Sequence, residues 1–319
     1  MNILVVGVNG FGQMHLSAIN NMDISIVERN ENVIRQVKDK YSIKKVYSDY
    51  NEALKDDFDI VDLVVPHYLH REMAIKAMKL KKNVIIEKPI ATSVNDGLEM
   101  IRASRENGVK FMVLDQYFFD PSVQASLKLI NNKKIGRVHS IIVRDQRFYN
   151  KPGWRTDKNL MGGGSLIDGG IHFINTMLTF GGDYDKIYAD NFHGGSSING
   201  EDTTLALFKF KSGSAGFLFY TWAYANSPKV PAFEIIGDEG SIYEDPNSRT
   251  SWDKDNKIRT VYGDIIMNGQ KINVEKYDVY TREIEAFMES VVEDCSVPFD
   301  PVLELRDLRA VMDIYHITK

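Results

Sequence analysis

Asp168 and His172 stand four residues apart in Gly162-Gly-Gly-Ser-Leu-Ile-Asp168-Gly-Gly-Ile-His172, a carboxylate and an imidazole in a stretch crowded with glycine. On an α-helix, positions i and i+4 share a face, so the spacing predicts that both side chains address one small molecule. The flanking glycines let that molecule, or another backbone, come close. A paired carboxylate and imidazole suit proton transfer at a reacting hydroxyl or carbonyl. The plainer reading is a glycine-flanked helix start, with Asp168 near the helix N-terminus and His172 packed inside.

A second constellation opens the chain. The apolar run Ile3-Leu-Val-Val-Gly7 reads as a buried strand, and Gly7-Val-Asn9-Gly10-Phe11-Gly12 follows it and precedes a helical pattern, the context a dinucleotide turn needs. A pyrophosphate would rest on backbone N–H groups at the helix start, where the helix dipole favours anions. Asn9 stands where the usual fingerprint has its second glycine; it tolerates left-handed backbone, but its side chain crowds a phosphate. Glu28 closes the next strand about 20 residues on, where an acid accepts hydrogen bonds from the ribose hydroxyls and favours NAD over NADP. Arg29 partly offsets that preference, so NADP stays open.

The elements that must position these groups fall into two sets. Strand-like runs at Asn2 to Gly7, Ser25 to Glu28, Ile60 to Pro66, Asn83 to Glu87 and Lys110 to Leu114 alternate with amphipathic helices, and their continuous apolar character predicts a doubly wound parallel sheet. Asp120-Pro121 then starts a new helix, so the α/β dinucleotide domain is placed at residues 1–119. Residues 120–319 carry longer strands at Gly136 to Phe148, Lys186 to Phe192, Thr203 to Lys211, Ser214 to Tyr224 and Ala232 to Ile236, with a hairpin turn at Lys211-Ser-Gly-Ser214. They predict an α+β domain with a large, mostly antiparallel open sheet, closed by helices at Thr281 to Val292 and Leu303 to Ile317. Asn247 to Asp255 reads as a surface excursion. The strand Phe217-Leu-Phe-Tyr-Thr-Trp-Ala-Tyr224 is apolar on both faces, which predicts a cover for its outer side, most simply a second copy of the chain as a dimer or tetramer.

Bulk properties exclude several classes. A chain of 319 residues, 43% hydrophobic and 26% charged, has enough apolar sequence for two cores. A net charge of −5 offers no basic field for nucleic acid, and no apolar run reaches the roughly 20 residues a membrane helix needs. The single cysteine, Cys295, forms no internal disulfide and has no companion base, which fits a reducing cytoplasm. His67 and His70 form His-x-x-His, but no third ligand of suitable type and spacing accompanies them, so no metal is expected. His139, His193 and His316 receive no role.

Glu87-Lys88-Pro89 closes one strand and Pro66 the strand before it, both at carboxyl ends where open α/β sheets bind ligands. Lys88 is thus a candidate site cation, held by Glu87. Together, Gly7-x-Asn9-Gly10-x-Gly12-x-x-His15, Pro66-x-x-x-His70, Glu87-Lys88-Pro89, Trp154-Arg155 and Gly163-Gly164-x-x-x-Asp168-x-Gly170-x-His172 resemble the glucose-fructose oxidoreductase/inositol dehydrogenase/rhizopine-catabolism (Gfo/Idh/MocA) family. The resemblance runs in order through essentially the whole chain. It implies a Rossmann domain joined to an open-sheet domain, usually oligomeric, that oxidises or reduces sugars, polyols or related small molecules with NAD(P). It implies Lys88, Asp168 and His172 as the catalytic set, and it places Pro66, His70 and Glu87 on the cofactor side with the backbone of Gly7 to Gly12.

On this reading His172 removes the hydroxyl proton while hydride leaves the same carbon. Asp168 orients the imidazole and binds a neighbouring hydroxyl, and Lys88 stabilises charge on the substrate oxygen. Trp154 and Arg155 would give an aromatic face and a polar clamp, and Tyr117 would reach in from the domain junction. Many relatives have an arginine near Phe118 or Phe119, so this chain departs from the family at that wall. Two other readings share the motifs: a glycosidase that keeps NAD bound and oxidises its substrate transiently, and a non-catalytic dinucleotide sensor.

Overall fold

The first sheet is assembled from short apolar runs whose side chains are buried on both faces. The computed structural model describes residues 1–249 and 258–318. Strands β1 (Asn2–Val6), β2 (Asp23–Val27), β3 (Ile43–Tyr47), β4 (Ile60–Leu63), β5 (Asn83–Glu87) and β6 (Phe111–Leu114) pair in parallel in the order β3-β2-β1-β4-β5-β6. Register is fixed by pairs such as Leu4 with Ser25 on one side and with Val61 on the other. Ile3, Leu4, Val5, Ile60, Val61 and Leu63 are fully buried, as central strands under helices require. The order reverses between β1 and β4, the switch point at which such sheets bind nucleotides.

The sequence reading missed β3. Its residues Ile43-Lys-Lys-Val-Tyr47 carry Lys44 and Lys45 toward solvent, and charged side chains on an edge strand discourage pairing with other chains while hiding the apolar run. The expected strand ends were also too long: Ile60 to Pro66 pairs only as far as Leu63, and Pro66 instead begins the short 3-10 turn His67–Leu69.

The second sheet has the order β14-β13-β12-β11-β7-β10-β9-β8. Its members are β7 (Val138–Gln146), β8 (Tyr184–Phe192), β9 (Thr203–Phe210), β10 (Ala215–Thr221), β11 (Phe233–Gly237), β12 (Gly240–Glu244), β13 (Ile265–Met267) and β14 (Gln270–Ile272). All neighbouring pairs are antiparallel except β7 with β10, and β9 turns into β10 through the predicted Lys211 to Ser214 loop. Strands β12 to β14 were not anticipated. Asn268 and Gly269, both with positive φ (51° and 79°), form the two-residue turn between β13 and β14, so the Asn-Gly pair was the overlooked signal. Helix Pro121–Asn131 begins as expected, with Pro121 in its first turn and the Asp120 carboxylate accepting from Ser122 N–H at 2.9 Å.

Two compact units divide the chain: Met1–Leu114 with Tyr280–Leu305, and Asp115–Val279 with Arg306–Lys319. This differs from a single cut at residue 119. Residues 280–305, expected with the second domain, contribute Tyr280, Ile284, Phe287 and Phe299 to the core of the first, all at most 1% exposed. Of the excursion expected at Asn247 to Asp255, the part beyond Arg249 lies outside the described residues. No described helix is long and apolar enough to cross a membrane.

Candidate active site

In the first unit the turn after β1 is built for close approach. Gly7 has φ +89°, and a Cβ on Gly12 would lie 2.0 Å from the Gly7 carbonyl oxygen, so helix Gly12–Ala18 can begin against the strand only with glycine there. The left-handed residue within the turn is Gly10 (φ +61°), not Asn9, which is exposed and has an ordinary backbone. No side chain caps the first turn of the helix; Phe11 occupies the cap position. An uncapped helix start at the sheet's switch point fits a dinucleotide pyrophosphate. Glu28 follows β2, and its Oε1 accepts from the N–H groups of Arg29 (2.8 Å) and Asn30 (3.0 Å), which fixes the carboxylate beside the turn. The Arg29 side chain is exposed and donates to the Ser48 carbonyl.

Behind this turn lies a buried charged triad. His15, in the helix, meets Asp62 of β4 through Nδ1 (2.9 Å to Oδ2) and Glu87 of β5 through Nε2 (2.9 Å to Oε1). Burial opposes charge on His15, but Asp62 and Glu87 together outweigh it and hold its pKa well above the usual value. Glu87, read from sequence as the partner of Lys88 and a cofactor-side residue, therefore commits one oxygen to His15 and is 8% exposed. Lys88 is half-buried at the end of β5, and its peptide bond to Pro89 is cis.

His70, expected on the cofactor side, packs against backbone. It is fully buried, with Nδ1 2.9 Å from the Pro89 carbonyl oxygen and Nε2 2.9 Å from that of Val65, so both nitrogens face backbone carbonyls, and the neutral ring donates to one of them. Burial, reinforced by neighbouring His67, pushes its pKa down to about 4. It ties the end of β4 to the turn after β5.

In the second unit the Asp168/His172 segment is not one continuous α-helix. Leu166–Gly170 is a π-helical turn carrying Asp168, and His172 sits in the first turn of the α-helix Ile171–Gly181. Such single π turns are frequent at functional positions. The two side chains also take different partners from those expected. His172 Nδ1 bonds Asp115 Oδ1 at 2.9 Å, and Asp168 accepts from Arg155 Nε at 3.1 and 3.3 Å. The carboxylate that orients the imidazole is therefore Asp115, which follows directly on β6, and Asp168 is held by Arg155.

Tyr117 and Trp154 frame these pairs. The Tyr117 ring stacks on His172 with centroids 4.1 Å apart and planes 11° from parallel, and the Arg155 guanidinium lies 4.3 Å from the centre of the Trp154 ring. With Asp115 as acceptor, Nδ1 carries the proton and Nε2 of the neutral ring presents a lone pair. Two more groups escaped the sequence reading. Asp145 accepts from Arg147 at 2.7 Å, and its second oxygen is buried without a hydrogen-bond partner. Burial raises the Asp145 pKa against the pull of Arg147. Asp115 could have been sought at the carboxyl end of β6 by the rule that marked Lys88 and Pro66. Asp145 lies in β7 and Arg147 just past its end, with no motif around them.

Residues 1–114 match the family model described as "Oxidoreductase family, NAD-binding Rossmann fold", and residues 123–243 match the "GFO/IDH/MocA C-terminal domain". The chain belongs to the GFO/IDH/MocA oxidoreductase family. It is 25% identical to myo-inositol 2-dehydrogenase of Thermotoga maritima over 91% of this chain and 88% of that enzyme. It is 26% identical to levoglucosan dehydrogenase of Pseudarthrobacter phenanthrenivorans over 68% of this chain, a stretch spanning 63% of that enzyme's length. A solved levoglucosan dehydrogenase, in complex with NADH and levoglucosan, superposes with a TM-score of 0.84 at 21% identity, covering 99% of this chain and 96% of that one. The family shares the parallel dinucleotide sheet and the mostly antiparallel sheet described above.

Proposed function

We propose that the chain is an NAD(P)-dependent dehydrogenase or reductase that interconverts an alcohol and a carbonyl on a sugar, inositol or related polyol. The observation that carries this reading is the His172 imidazole, locked by Asp115 and Tyr117 with its Nε2 lone pair available, one turn from a carboxylate–guanidinium pair. The bound dinucleotide would supply the hydride acceptor or donor. Nε2 of His172 takes the substrate hydroxyl proton in oxidation and returns it in reduction. Asp168 and Arg155 bind adjacent hydroxyls, and the Trp154 ring offers a flat face for the sugar's C–H side. Lys88 is assigned the negative charge that grows on the substrate oxygen.

Gly7, Asn9, Gly10, Phe11 and Gly12 would hold the pyrophosphate and Glu28 the adenosine ribose. An acid at that position favours NAD, with Arg29 softening the preference. The outer face of the second sheet supports a homo-oligomer. Tyr188, Leu207, Phe217 and Ile142 are register neighbours across β8, β9, β10 and β7, and the first three are among the exposed large apolar side chains. A cytoplasmic enzyme fits the lone free cysteine.

The deciding experiment follows nicotinamide absorbance with purified protein over a panel of aldoses, inositols, polyols and their oxidised forms, with NAD and NADP separately. Turnover with one cofactor that disappears in His172→Ala is the expected result. Tight cofactor binding with no absorbance change on any substrate, but release of a leaving group from a glycoside, would replace this reading with the redox-neutral one.

A further inference from the structure

The π turn that carries Asp168 is held at its start by two residues distant in sequence. Four consecutive backbone N–H groups lead into it. Those of Gly164 and Ile167 donate to the Tyr315 hydroxyl oxygen, each at 3.2 Å. That of Ser165 donates to the Glu201 carbonyl at 2.7 Å, and that of Leu166 to Glu201 Oε1 at 2.9 Å. Tyr315 in turn donates its hydroxyl proton to Glu201 Oε1 at 2.8 Å, so the two side chains act as one cap. The first N–H groups of a helical segment have no partner within it, and an ordinary cap satisfies only one or two.

The fit is tight on the glycine side. A Cβ on Gly164 would lie 2.1 Å from the Glu201 carbonyl oxygen, so the Gly162-Gly-Gly164 run lets the loop reach this cap. Of the two uses the sequence allowed these glycines, approach of a ligand or of another backbone, Gly164 serves the second.

We propose that Glu201 and Tyr315 are positioning residues for the reaction: by fixing Gly164 to Ile167 they set the pitch of the π turn and so the aim of Asp168 and, beyond it, of His172. The inference rests on Asp168 and His172 being the reacting groups. Burial pushes the Glu201 carboxyl up to about 7, against the pull of the Leu166 N–H and the Tyr315 hydroxyl. Both residues line a cavity of about 570 Å³ with Lys158, His193, Asn199 and His316. Truncating Glu201 therefore leaves the Leu166 N–H to water and the Tyr315 hydroxyl without its acceptor, while Ser165 keeps its backbone carbonyl; water satisfies the freed groups without fixing their direction.

The test compares Glu201→Ala, Glu201→Gln and Tyr315→Phe with wild type and His172→Ala. Small displacements of reacting groups are expensive, so Glu201→Ala and Tyr315→Phe should lower kcat by about tenfold to a hundredfold while the cofactor KM stays within about twofold. Glu201→Gln keeps an acceptor oxygen and should recover most of the loss. Wild-type kcat in both Glu201→Ala and Tyr315→Phe, or a glutamine variant as impaired as the alanine one, overturns the proposal. Carbon-proton NMR of the histidine ring ε1 positions, with the His172 signal assigned by its absence in His172→Ala, needs no substrate. A shifted or split His172 signal in Glu201→Ala is expected, and an unchanged one sinks the clamp. Turnover that survives His172→Ala removes the reading of the site instead, which keeps the two failures apart. Should Glu201→Ala not fold, Tyr315→Phe, lacking only one oxygen, carries the same comparison.

Discussion

His15 in the first unit and His172 in the second are both buried imidazoles bonded to carboxylates, yet only one has a nitrogen to spare. His15 is gripped from both sides, Asp62 on Nδ1 and Glu87 on Nε2. His172 is held on Nδ1 alone, and a stacked Tyr117 ring takes the place of a second acid. Two acids hold the His15 imidazole protonated well above its usual range and make it a fastener. One acid and an aromatic face fix the ring's direction and leave its chemistry open. The type of residue and the presence of an acid neighbour do not separate the two; the number of nitrogens engaged does.

The comparison breaks first at His172. Replacement by alanine should lower kcat by about 10²- to 10⁴-fold, the range of a lost general base, measured on the folded fraction given by its urea midpoint. A variant that unfolds but turns over normally when folded would put His172 with His15. Next is His15→Ala, which strands Asp62 and Glu87 in the core and should cost about 3–5 kcal/mol in urea unfolding, as breaking a buried pair does. A loss under 1 kcal/mol would mean that the triad is not held as charged groups.

A pH series sharpens the contrast through another buried imidazole, His70. The folded pKa of His70 is depressed from 6.5 to about 4, so its contribution is present above 6.5 and is lost as the pH falls toward 4, by about 3 kcal/mol in all. The folded pKa of His15 is raised, so its contribution is full below 6.5 and is lost as the pH rises through the raised value. Unfolding at stepped pH should therefore show His70→Asn relieving the acid-side loss and His15→Ala flattening the alkaline side. Identical pH curves in wild type and both variants would contradict these assignments. The smallest effect belongs to Asp115→Asn. The amide keeps the hydrogen-bond reach but no longer favours the proton on Nδ1, and kcat should fall by about tenfold to a hundredfold with unchanged stability. Full activity in that variant would make Asp115 a packing residue.

The sequence made the parallel sheet legible because its central strands are unbroken apolar runs, and the catalytic candidates legible because Lys88, Asp168 and His172 sit in short motifs. What it hid has physical causes. The lysines of β3 disguise an edge strand, and β13 and β14 are too short to show alternation, although Asn268-Gly269 announced their turn. Asp115 is 57 residues from His172 and carries no pattern of its own; only folding brings them together. The partner assigned to His172 from spacing, Asp168, shares its helical segment, but spacing says nothing about which way a carboxylate swings when an Arg155 is within reach.

The return of residues 280–305 to the first unit has a consequence for how the chain is made. Synthesis delivers Met1–Leu114 early, but Tyr280, Ile284, Phe287 and Phe299 leave the ribosome only after the whole second sheet. At roughly 5–20 residues per second, the nascent dinucleotide domain waits on the order of ten seconds or more with an apolar surface still uncovered. Its order of birth is thus inverted relative to its order in the sequence: the domain that begins first cannot be finished until the one that begins second has nearly all emerged.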